Sequence, residues 1–86
     1  MFEIWQHIAS GARYLVVVHA GVVSVAAGPL QPWEDSRETL ETHGNQHHNP
    51  WALLDMRKTP QAYRRTYTTR ADGQVIAVSD TPEAAN

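Results

Sequence analysis

Cysteine is absent from this chain, which excludes disulfide bonds and every zinc site built on thiolates. The five glycines are scattered, and neither a G-x-G-x-x-G nor a G-K-[ST] phosphate loop is present. No serine lies in a G-x-S-x-G elbow of the kind that presents a nucleophile in hydrolases. A chain of 86 residues also leaves little protein to enclose a substrate pocket. We therefore expect a protein that is not an enzyme and that has no cofactor.

Charge and long apolar runs are scarce as well. The net charge of −2 is too small for strong non-specific attraction to nucleic acid or to acidic membranes. The longest apolar stretch, residues 14–30, is rich in valine and contains His19, Gly21 and Gly28, whereas a membrane helix needs about 20 apolar residues. These features predict a soluble protein without a membrane partner, and the absence of cysteine fits a cytoplasmic location. The hydrophobic content of 42% predicts one folded domain over residues 1–80, followed by a flexible tail, 81–86.

Three segments near the N-terminus have the patterns of β-strands. Phe2–Ile8 has the period of a half-buried strand, which places Phe2, Ile4 and Ile8 on one face and Glu3, Trp5 and His7 on the other. Arg13–His19 and Val22–Ala27 are dense in β-branched residues. Gly21 can supply the positive φ of a tight hairpin, most simply a type I turn with a glycine bulge. The three segments together predict an antiparallel meander.

The middle of the chain has helix signals. Asp35 is a candidate N-cap with Glu38 three residues later, and Gly44 is a candidate C′ residue, which predicts a short helix within residues 34–44. Asn49 followed by Pro50 is typical of a second helix start. The apolar run after Pro50 is too short for its periodicity to distinguish a helix from an extended segment.

Two further strands within Ala62–Asp80 flank a turn at residues 71–73. The order β-β-β-α-β-β predicts a small α+β domain: a five-stranded antiparallel sheet with one or two short helices in the middle covering one face. Residues 14–18 are consecutive apolar residues, so both faces of that strand need burial. A small closed barrel would meet this need. Alternatively, a second copy in a homodimer or a larger protein would dock on the valine-rich sheet.

The basic residues are concentrated in one segment. Five of the seven Lys and Arg residues lie within residues 57–70, which contain no acid, whereas residues 34–41 contain four acids and one arginine. Strict strand alternation would place Tyr63, Arg65 and Tyr67 on one face of the sheet. Arginine interleaved with tyrosine is typical of proteins that bind single-stranded nucleic acid. The ordinary interpretation is a strand with a solvated Arg/Thr face and buried tyrosines. The candidate residues for binding nucleic acid or a partner are Arg57, Lys58, Arg64, Arg65, Tyr67 and Arg70.

Three of the five histidines, His43, His47 and His48, fall within six positions. Imidazole is a common zinc ligand, and these three are the candidates for a His-based metal site. We assign no metal to them, because Gly44 and the Asn49–Pro50 pair interrupt any continuous helix that would align the rings. The ordinary interpretation of this histidine-rich segment is a solvated connecting loop. The other interpretation is a loop that faces a partner.

Two tryptophans flank this histidine-rich segment. We predict that Trp33 and Trp51 anchor it to the sheet, and that either one, if exposed, would mark a partner contact. The candidate partner loop therefore comprises Trp33, His47, His48 and Trp51.

The sequence as a whole favours a small non-enzymatic module that binds another protein, such as an accessory or mobile-element protein. A nucleic-acid-binding domain that uses the basic segment 57–70 is the alternative. A His-based metal-binding protein is the second alternative.

Overall fold

A computed structural model describes residues 1–44 and 47–82. The strands are β1 (Phe2–His7), β2 (Arg13–His19), β3 (Val22–Ala27), β4 (Tyr63–Thr69) and β5 (Val75–Asp80); the helices are α1 (Ser36–Thr42) and α2 (Pro50–Lys58), and a single 3₁₀ turn spans Pro60–Ala62. The strands form one antiparallel sheet in the order β3-β2-β1-β4-β5. The predicted α+β fold is confirmed. Neither described helix is long and apolar enough to cross a membrane.

Both helices begin at the predicted caps. The Asp35 carboxylate accepts a hydrogen bond from the Glu38 backbone N–H (3.0 Å), and the Asn49 side-chain oxygen accepts one from Ala52 N–H (3.0 Å). Each bond satisfies one of the backbone donors that a helix N-terminus leaves unpaired. The end of α1 differs from the prediction, because His43, one position before Gly44, is a left-handed residue (φ 53°) and caps the helix.

The β2–β3 hairpin is tighter than predicted. Ala20 and Gly21 form a two-residue loop and both have positive φ, 52° and 77°. Positive φ at both central residues is typical of a type I′ turn, whose twist matches that of the flanking strands. The predicted type I turn with a glycine bulge is therefore wrong. The β4–β5 turn lies where predicted, with Gly73 at φ 89°.

The sheet has an apolar cluster on each face. On one face, Ala52 and Met56 of α2 pack on Trp5, Val16 and neighbouring side chains. On the opposite face, Leu40 of α1 packs with Ile4 and Leu15. Trp5 and Ile4 are adjacent in β1, as are Val16 and Leu15 in β2, so strand alternation sends each pair to opposite faces.

The two clusters explain how β2, with its consecutive apolar residues, is buried on both faces. The expectation that the middle segment covers only one face is wrong, because α1 and α2 lie on opposite faces. The closed-barrel alternative is wrong too, since the sheet of the described residues is open, with β3 and β5 at its edges. The homodimer stays a prediction, but an uncovered valine-rich face no longer motivates it.

A bulge in the pairing of β1 with β4 changes the faces of β4. Trp5 pairs with Arg65, whereas Ile4 pairs with Tyr67, so β4 has an extra residue at Thr66. Tyr63 consequently lies in the α2-side cluster, while Tyr67 packs on the α1-side cluster. The predicted placement of Tyr63, Arg65 and Tyr67 on one face is therefore wrong, because a bulge interrupts strict alternation.

The predicted tail, 81–86, is described only as far as Pro82, which is buried. Residues 83–86 lie outside the described part of the chain.

Replacement of the core residue Met56 by alanine should be costly. Met56 is 1% exposed, and Met56→Ala removes its contacts with the α2-side cluster and leaves a cavity. We expect the free energy of unfolding to fall by about 2–5 kcal/mol in urea denaturation. The matched control is Leu54→Ala on the same helix, where the side chain is 45% exposed and the loss should be below about 1 kcal/mol. Equal losses in the two variants would contradict the packing of α2 described here.

Removal of the Tyr63 hydroxyl should alter the acid response. This hydroxyl donates a 2.6 Å hydrogen bond to Asp55, which lowers the pKa of the Asp55 carboxyl below its ordinary value of 3.8. A lowered folded-state pKa stabilises the fold above the unfolded pKa, and the contribution is lost as the pH falls through the folded pKa. Tyr63→Phe should therefore be less stable by about 1 kcal/mol at neutral pH, and the difference should shrink below about pH 4.

The measurement is urea denaturation at a series of pH values, together with an NMR titration of the Asp55 carboxyl. Tyr14→Phe is the control, because its ring contacts the Tyr63 ring while the hydroxyl bonds no described carboxylate. A wild-type-to-Phe difference that grows as the pH falls would contradict the assigned role of Asp55.

Candidate functional site

Arg65 of the basic strand β4 forms an ion pair with the buried carboxylate of Glu3. Glu3 is 2% exposed and lies on the α2 side of β1, opposite β4. Arg65 Nη1 donates to Glu3 Oε2 at 2.7 Å, and the rest of the guanidinium donates to both oxygens of Asp80 at 2.7 and 2.5 Å. Trp5 Nε1 donates to Glu3 Oε1 at 2.9 Å, and Thr68 Oγ1 donates to Glu3 Oε2 at 2.5 Å. We call these five residues the Glu3 network.

All members of the Glu3 network except Thr68 line a cavity of about 280 Å³ on the part of the sheet that α2 leaves uncovered. Hydrogen bonding to Asp80 raises the pKa of Arg65, and the same bonds lower the pKa of Asp80. Both oxygens of Glu3 accept hydrogen bonds, and all three nitrogens of Arg65 donate them. The charged groups of the Glu3 network are therefore mutually paired, as buried charges require.

Tyr67, the other central member of the predicted nucleic-acid surface, lies on the opposite face from Arg65. The Arg37 guanidinium of α1 lies 5.2 Å from the centroid of the Tyr67 ring. Arg37 Nη1 also donates to the Val75 carbonyl at 2.9 Å. The tyrosine face is thus occupied by a cation of the chain itself.

The remaining basic candidates are separated from one another. Arg64 and Arg70 are exposed at the two ends of β4, and Arg57 and Lys58 are exposed on α2. None of the four makes an ion pair with a described residue. The structure therefore does not bring the six basic and aromatic candidates together on one face.

The three clustered histidines differ in their surroundings. The His43 ring stacks on Phe2, with centroids 3.8 Å apart and planes at 13°. His47 and His48 are exposed, and the backbone around them bonds to the β3 edge: Gly28 N–H donates to His47 C=O (2.9 Å) and Asn49 N–H to Ala26 C=O (2.8 Å). Among the described residues, no group of three His, Asp or Glu side chains is arranged to hold a metal ion.

The two flanking tryptophans are not anchors. Trp33 is 79% exposed and Trp51 is 81% exposed, so the prediction that they pin the histidine-rich segment to the sheet is wrong. The backbone bonds to β3 tie this segment instead. Two almost fully solvated tryptophans in a small domain are unusual, because indole burial is strongly favourable.

Trp51 belongs to a continuous exposed surface on α2. Positions 51, 54 and 58 follow helical spacing, and they lie opposite the buried residues Ala52 and Met56. A shallow groove of about 280 Å³ is lined in part by Trp51 and Leu54. Arg57 stands at its rim, held by a 2.9 Å bond from Nε to the Val23 carbonyl. We define the α2 patch as the exposed residues Pro50, Trp51, Leu54, Arg57 and Lys58.

Trp33 belongs to a second exposed surface, on the other face of the sheet. The buried residues of α1 are Ser36, Thr39 and Leu40, so Glu38 and Glu41 point outward. Trp33 and Glu38 line a groove of about 400 Å³ along α1. We define the α1 patch as the exposed residues Trp33, Asp35, Glu38 and Glu41.

Sequence reasoning identified the two tryptophans, the basic pair of α2 and the acidic segment that forms α1, but it missed Leu54 and Glu3 as parts of a surface and a network. Helical spacing from Trp51 would have found Leu54. No local signal marked Glu3, because its burial follows from the pairing of β1 with strands on both sides.

No protein-family model, curated protein or solved structure matches this chain. The candidate site is therefore defined by its own geometry.

Loss of the Arg65 side chain should destabilise the fold strongly. Arg65→Ala leaves the buried Glu3 carboxylate without its ion pair, which should cost about 3 kcal/mol. Arg64→Ala is the matched control, since Arg64 is exposed and makes no ion pair with a described residue, and its cost should stay within about 0.5 kcal/mol. Urea denaturation measures both. If Arg65→Ala were as stable as Arg64→Ala, the structural role of the Glu3 network would be refuted.

Proposed function

We propose that this protein is a non-enzymatic module that binds another protein through the α2 patch. The observation that carries the proposal is Trp51, 81% exposed beside the 45% exposed Leu54 on a helix whose other side is packed in the core. Solvent exposure of these two side chains costs hydrophobic free energy, and a partner surface would recover it.

The composition of the α2 patch fits an interaction surface. Tryptophan and arginine are the residues most enriched at binding hot spots, and here Trp51 and Arg57 line the same groove. The bond from Arg57 to β3 holds its stem in place, so binding would immobilise few side-chain rotamers. The helix is anchored to the sheet by Ala52 and Met56, which provides a rigid base for the surface.

The charges of the α2 patch indicate the chemistry of the partner. Arg57 and Lys58 lie in the last turn of α2, where the helix dipole adds negative potential, and neither forms an ion pair with a described residue. A complementary partner presents an apolar surface with carboxylates at its rim. The dispersal of the basic candidates across several elements gives nucleic-acid binding less support than protein binding.

The test compares two tryptophan variants of equal exposure. Immobilised wild-type protein should capture a partner from a lysate of the native host, and Trp51→Ser should weaken the purified interaction at least about tenfold, since hot-spot truncations cost about 2 kcal/mol or more. If the captured partner is a different protein, Trp33→Ser is the matched control and should leave its binding unchanged. Trp33 is about as exposed as Trp51 but lies on the α1 side of the sheet.

Both variants should unfold at the wild-type urea concentration, since neither side chain is buried. A partner captured equally by wild type and Trp51→Ser would overturn the assignment to the α2 patch. The absence of any captured protein, together with a monomeric wild-type protein, would overturn the proposed function itself.

A further inference from the structure

The α1 patch and the α2 patch are complementary to each other. Each has one exposed tryptophan beside a shallow groove, with Trp33 on one and Trp51 on the other. The α2 patch contains Arg57 and Lys58, and with the neighbouring exposed Asp55 the outer side of α2 has a net charge of +1. The α1 patch contains three acids, and with the neighbouring exposed Arg37 the outer side of α1 has a net charge of −2. No residue of either patch forms an ion pair with a described residue.

The two patches cannot meet within one molecule. The helices that present them pack on opposite faces of the sheet through Met56 on one side and Leu40 on the other. Their complementarity can therefore be used only between molecules.

We propose that the α2 patch of one copy docks on the α1 patch of a second copy, so that this chain assembles head to tail. The inference rests on the proposed protein-binding role of the α2 patch and names its partner. Trp51 and Leu54 would cover the groove beside Trp33, while Arg57 and Lys58 would face Glu38 and Glu41.

Charge favours this pairing over the two symmetric ones. Two α2 patches face to face would bring together the cations of both copies, and two α1 patches would bring together six carboxylates. A contact between unlike patches is heterologous, and because the patches lie on opposite faces, each added copy leaves one patch of each kind free. The assembly should therefore grow beyond the dimer.

Complementing variants test this geometry. Trp51→Ser/Lys58→Glu disables only the α2 patch, and Trp33→Ser/Glu38→Lys disables only the α1 patch. All four positions are exposed, so both variants should retain the wild-type circular dichroism spectrum and urea midpoint. Light scattering measures the mass of each protein against concentration.

We expect the wild-type mass to rise from 9.6 kDa, without levelling off at twice that value, as the concentration approaches about 1 mM. Each variant alone should stay at 9.6 kDa. The equimolar mixture should form a 1:1 complex of twice that mass and nothing larger, because only one functional interface remains in each pair. Added salt should weaken all of these complexes, because it screens the charge pairs at the rim.

Three outcomes would overturn the inference. A wild-type protein that stays at 9.6 kDa at the highest concentration excludes self-assembly, and if it still captures a lysate protein through Trp51, the proposed function stands without it. A wild-type mass that levels off at the dimer indicates a symmetric interface. Variants that fail to associate when mixed, although the wild-type protein assembles, show that other surfaces make the contact.

Discussion

The constraint on which this fold depends is that the central strands are apolar on both sides. In β1 and β2, neighbouring residues such as Ile4 and Trp5, or Leu15 and Val16, are all buried, although strand geometry sends them to opposite faces. A sheet of this kind needs cover above and below. The chain supplies it with two short helices from one connecting segment, α1 on one face and α2 on the other. Because each helix uses only one side for packing, each leaves its other side in solvent, and these two outer sides are the candidate binding surfaces.

The elements of the fold were largely predictable from local sequence. β-branched runs mark β2 and β3, and the Asp35 and Asn49 caps mark the helix starts within one residue, because capping depends on side chains close in sequence. The face of β4 was not predictable, since the bulge at Thr66 depends on the pairing with β1, more than 60 positions away. The distribution of the helices over two faces depends on tertiary packing in the same way.

The candidate site was predictable only in part. Trp33 and Trp51 drew attention as large aromatic residues, but a sequence pattern does not separate an indole that anchors a loop from one that is solvated. The basic residues of segment 57–70 are close together in sequence. In the structure they are distributed among α2, both ends of β4 and the Glu3 network. A run of charge in sequence becomes a charged surface only where the elements that carry it share a face.

The Glu3 network has a consequence for how the strands find their alignment. β4 has to match β1 across a bulge, and only Tyr63 and Tyr67 of β4 pack in the apolar clusters, so few apolar side chains select one alignment over another. Sliding β4 by one residue would move the Arg65 side chain to the opposite face of the sheet. The Glu3 carboxylate would then be buried without a cation beside Trp5 and its apolar neighbours. The ion pair therefore favours the correct alignment, because a shift of one residue would leave a buried carboxylate without its cation.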